Sequence, residues 1–100
     1  MEDNEIITYF RNSLKKDVPD QKWPKLTIAL WLDGKGDWEG AHDIVQDDNS
    51  DEAAWIHAYL HRKEGDNWNA DYWYRRAGKS RPLTTLEEEW ASLVQYFAKK

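Results

Sequence analysis

The sequence predicts an all-α fold of about six helices, built as stacked helical hairpins, and three observations carry that expectation. The first is internal. ALWLDGKGDWEGAHDIV at 29–45 aligns with AYLHRKEGDNWNADYWY at 58–74 so that Ala29 meets Ala58, Gly36-Asp37 meets Gly65-Asp66 and Ala41 meets Ala70, all at an offset of 29. An apolar stretch, a Gly-Asp corner and a second apolar stretch around a small Ala describe one helical hairpin, and two copies describe a stack. The second is corner chemistry: Gly takes the left-handed conformation that ends one helix, and the Asp after it caps the amides of the next. The third is the helical spacing of apolar residues in the segments outside the aligned pair.

Each element can be justified in order. Ile6, Ile7, Phe10 and Leu14 recur at helical spacing behind Asp3 or Asn4, predicting a first helix over about 4–16. DVPDQKWP breaks it, and Pro24 opens a second over about 24–33. LTIALWL followed by DGKG also fits a strand entering a hairpin turn, and only the alignment decides for helix. The third runs from Asp37 to about Gln46 with Trp38, Ala41 and Val45 on one face, and the acidic loop DDNSDE caps a fourth over about 51–63. In the fifth, Ala70, Trp73, Tyr74 and Ala77 form a buried stripe that Gly78 stops. The sixth begins at Thr84 or Thr85, where Thr84 with Glu87 and Thr85 with Glu88 both offer capping boxes, and carries Leu86, Trp90, Leu93, Val94 and Phe97. The expected core contains Trp31, Trp38, Trp55, Trp73, Tyr74, Trp90, Leu93 and Phe97.

Residues 1–100 have single-domain length, and with 40% hydrophobic residues but seven Trp and five Tyr the core leans on large aromatics. Cysteine is absent, which excludes disulfides, thiolate metal sites and cysteine catalysis. MEDNEIITYF lacks a basic leader region, and no run reaches the roughly twenty apolar residues of a membrane span, so a cytoplasmic protein without a membrane partner is expected. A net charge of −5 opposes nucleic-acid binding. Residues 33–52 hold eight acids against Lys35, while 62–81 hold six cations against three acids, so these two segments are expected to attract each other.

Chemistry concentrates in HAYLHRKEGDNWNADYWYRRAG at 57–78. His57 and His61 share a helix face, and His42 on a neighbouring helix offers a third imidazole. The Glu of a zincin motif is missing, because Ala58, Tyr59 and Leu60 intervene; the expectation is therefore imidazoles that hydrogen-bond across a helix interface, with no metal and no cofactor. Asn67, Asn69 and Asp71 alternate as in a calcium loop, but Tyr72 stands where Gly is needed and Gly78 where a Glu should close the site. GKGDWEG lacks the order of a phosphate loop. Tyr72, Arg75 and Arg76 splay away from the buried stripe as an aromatic and basic edge. Ser13, Ser50, Ser80 and Ser92 fit caps or helix surface, so no catalytic triad can be argued.

The blocks AHDIVQ, AWIHAYLHRKEGD and NADYWYRRAG, in this order over about residues 26–82, resemble a family of small uncharacterised proteins built around the same run; the resemblance implies no activity. More remotely, GD followed by NA and WYRRAG resembles the second-helix end of Sel-type and tetratricopeptide repeats, which implies a tetratricopeptide-like stack, although Trp73 and Tyr74 stand where slimmer residues are usual. Two functions follow as expectations. One is a non-enzymatic module for a protein or peptide partner. The other is a small-molecule or metal-dependent enzyme whose site gathers His42, His57, His61, Arg62 and Glu64 between the hairpins.

Overall fold

Six helices form among the described residues: α1 (Asp3–Ser13), α2 (Lys25–Gly34), α3 (Trp38–Gln46), α4 (Asp51–Lys63), α5 (Asn67–Arg76) and α6 (Leu86–Ala98). The structure, a computed structural model, describes residues 3–98, and no strand occurs among them. The cap expected at Asp3 or Asn4 falls on side chains outside those described.

The Gly-Asp corners are built alike. Gly36 and Gly65 have φ of +87° and +90°, and the amides of Asp37 and Asp66 each donate to a carbonyl five residues back, Leu32 and His61, at 2.9 Å. Each Asp side chain then accepts from the backbone N–H three residues on, Gly40 and Asn69, capping α3 and α5. The aligned alanines Ala29, Ala41, Ala58 and Ala70 are all fully buried. Small residues there let α2 lie close against α3 and α4 against α5, and α3 joins the two pairs by packing on α4.

α1 ends at Ser13, earlier than its spacing predicts, and the carbonyls of Ser13, Leu14 and Lys16 are met by α2 and the residue after it. Trp31 Nε1 donates to Ser13 O at 3.2 Å, and Lys35 Nζ donates to Leu14 O and Lys16 O at 2.8 and 2.9 Å. α4 is capped by Ser50, whose hydroxyl accepts from the Ala53 amide. At α6 the working capping box is Thr85 with Glu88, with reciprocal bonds of 3.1 and 3.0 Å, while Glu87 pairs with Arg11 at 2.6 Å.

The main core joins α1, α2, α3, α4 and α6 through Phe10, Leu30, Trp31, Val45, Ile56, Leu60, Trp90, Leu93 and Phe97. A smaller cluster of Ala58, Ala70 and Tyr74 lies between α4 and α5. Three expected core residues need correction: Trp38, Trp55 and Trp73 are half-buried. Trp38 and Trp73 cover histidines, and Trp55 lies at the edge under Lys79 Nζ, 4.2 Å from its ring. The expected attraction between the acidic and basic segments is realised by Lys63 with Asp33 at 2.8 Å, whereas Arg62 pairs with Glu89 and Arg81 with Asp71.

Candidate functional site

The α3–α4 contact brings all three histidines of the chain together. His57 and His61 stand one turn apart on α4, and His42 reaches across from α3, with ring centroids 4.8 Å from His57 and 5.4 Å from His61. His42 Nε2 lies 3.1 Å from His57 Nε2, so one of these nitrogens carries the proton and the other accepts it. One nitrogen from each of the three rings falls within 4.8 Å of the others.

Indoles hold two of the rings. Trp38 stacks on His42 at 4.8 Å and 9°, and its own Nε1 is fixed by donation to Leu60 O at 2.8 Å. Trp73 of α5 stacks on His57 at 3.9 Å and 19°. The third ring is set by a carboxylate, since His61 Nδ1 lies 2.7 Å from Glu64 Oε2. Asp66 completes a second grouping with His61 and Glu64 while it caps α5.

Electrostatics keep the inner rings neutral. His57 is 4% exposed, and burial, followed by the neighbouring His42 and His61, pulls its pKa down to about 4. Burial, with His61 next, also lowers His42. A neutral imidazole has one N–H and one lone pair, which suits hydrogen bonding across the seam or ligation of a soft-to-borderline cation. No serine hydroxyl is bonded to these rings among the described residues.

The remaining candidates stand elsewhere. Arg62 turns from the histidines to α6, donating to Glu89 Oε1 at 2.8 Å and to the Thr84 carbonyl. It lines a cleft of about 470 Å³ with Asp71, Tyr74, Arg75, Lys79 and Arg81. Tyr72, Arg75 and Arg76 lie on the outer face of α5. They share that face with Trp68, which is 79% exposed and which sequence reasoning did not single out. Its position four residues before Tyr72 was the available signal. The proposed gathering of Arg62 with the three histidines therefore does not occur, because the buried Glu89 carboxylate holds the guanidinium. No helix among the described residues is long and apolar enough to cross a membrane. Compared with known proteins, the chain matches no family model, no curated protein and no solved structure.

Proposed function

We propose that this protein is a non-enzymatic interaction module, a short tetratricopeptide-like stack that takes an acidic protein or peptide segment across the outer face of α5. The observation that carries the reading is the exposure of Trp68 on one stripe with Tyr72, Arg75 and Arg76. Residues 68, 72, 75 and 76 follow the spacing of a single helix face. Trp, Tyr and Arg are the residues most enriched where binding energy concentrates, and Arg pairs with carboxylates through two parallel bonds. The stripe runs at Arg75 into the cleft that also holds Lys79 and Arg81, with Leu83 fully exposed at its edge. Cations beside large apolar anchors favour a partner that alternates acids with bulky apolar residues. The enzyme alternative loses the Arg62 that it required.

A random peptide-display library panned on the intact chain tests this. Enriched peptides should combine Asp or Glu with Trp, Phe or Leu, and their binding should weaken as salt screens the charges. The double variant Trp68→Ser, Arg75→Glu, with unchanged circular dichroism, should lose that binding by at least tenfold. Enrichment of peptides without acids, or binding indifferent to the double variant, would refute the reading.

A further inference from the structure

The histidine seam lies apart from the outer face of α5, and stability does not explain it. Apolar side chains would fill the same space without the desolvation that imidazoles suffer. We propose that His42, His57 and His61 form a binding site for one transition-metal ion of the zinc class, with three imidazole nitrogens as ligands and a fourth position open to water or a small anion.

Geometry brings the donors close to what such an ion requires. Two nitrogens bound tetrahedrally to zinc at about 2.0–2.1 Å sit roughly 3.3 Å apart. His42 Nε2 and His57 Nε2 are 3.1 Å apart, and the nitrogen from His61 lies within 4.8 Å of both. Binding would draw the His61 nitrogen in toward the other two. His57 and His61 project from one face of α4, so the α3–α4 packing that buries the core also sets the third ligand against them.

The surroundings are those of a ligand set held in place. Glu64 Oε2 at 2.7 Å from His61 Nδ1 is the carboxylate partner that ligating histidines commonly have; it fixes the tautomer so that Nε2 keeps its lone pair. Trp38 and Trp73 hold the planes of His42 and His57, which limits the reorganisation that binding requires. His57 is buried while His42 and His61 are partly exposed, so the cluster reaches the surface. Imidazole donors without thiolates suit zinc, copper, nickel or cobalt and reject calcium and magnesium, which take oxygen ligands.

The test uses the full chain without a histidine tag, because its three histidines all belong to the cluster and it has no cysteine. Cobalt(II) serves as the spectroscopic probe and zinc as the competitor. Cobalt should develop the strong visible absorption of a four-coordinate ion, saturating at one per chain, and zinc should displace it and raise the melting temperature. His42→Gln and His61→Gln change half-buried rings and should stay folded by circular dichroism while losing zinc affinity by more than a hundredfold. Glu64→Gln keeps all three ligands and should weaken affinity by about 10–100-fold. If cobalt keeps the weak six-coordinate spectrum it has in buffer, the imidazoles serve packing and hydrogen bonding only. Zinc binding undiminished in His42→Gln and His61→Gln would overturn the site equally.

Discussion

Two neighbouring residues at the end of α4 each hold a buried carboxylate. Arg62 Nη1 meets Glu89 at 2.8 Å, and Lys63 Nζ meets Asp33 at 2.8 Å; Glu89 and Asp33 are 3% and 2% exposed. Each carboxylate also accepts from a buried phenol, Tyr74 on Glu89 at 2.6 Å and Tyr59 on Asp33 at 2.9 Å. Burial, with the adjacent carboxylate next, raises both tyrosine pKa values, so the phenols remain donors. A buried carboxylate is tolerable only with such partners. Arg62→Met should therefore cost about 3–5 kcal/mol in urea denaturation, and Arg62→Met with Glu89→Gln should recover most of it, because no uncompensated charge remains and the Gln carbonyl still accepts from Tyr74. A loss under about 1 kcal/mol in the single variant would mean that water reaches Glu89. Neither cluster was legible beforehand. Asp33 reads as a turn residue before GKG, Glu89 as one more acid in the first turn of α6, and nothing local links residue 33 to 59 or 62 to 89.

At the scale of elements, end chemistry was the most readable signal. Asp37, Ser50, Asp66 and Thr85 all cap helices, because a side-chain acceptor followed three residues later by an orphan amide is a purely local arrangement. Glu88 accepts the Thr85 amide, and this bond, with the Thr85 hydroxyl next, holds its carboxyl below the usual range. A depressed folded pKa means stability that is present above the unfolded value and lost as pH falls through the folded one. Wild type should thus melt above Glu88→Gln at neutral pH, and the gap should vanish in acid. A gap that persists at the acid end would show that the carboxylate charge is irrelevant to the cap. α2 was harder to read. Its residues Thr27, Ala29, Leu30, Trp31 and Asp33 are buried on several sides, so its apolar pattern has no clean period, and only the distant alignment distinguished helix from strand.

For the whole molecule, closure depends on the last helix. α6 packs on α1, α2 and α4, inserting Trp90, Leu93, Val94 and Phe97 into the main core, with Trp90 Nε1 donating to Leu30 O at 3.3 Å. A chain ending at Pro82 exposes that core. It should lose most far-UV helicity and its cooperative melt, and a cooperative transition in the truncated chain would show that the two hairpins stand alone. The sequence by itself determined the helices other than α2, their corners and caps, and the shared face of His57 and His61, since each depends on residues within one or two turns; α2 was read only through the alignment 29 residues away. The tertiary structure alone decided that His42 joins them, that Trp38 and Trp73 cover histidines at the edge of the core, and that Arg62 turns to Glu89. Those outcomes depend on which helix faces lie opposite each other, and that is set by packing the whole chain around one core.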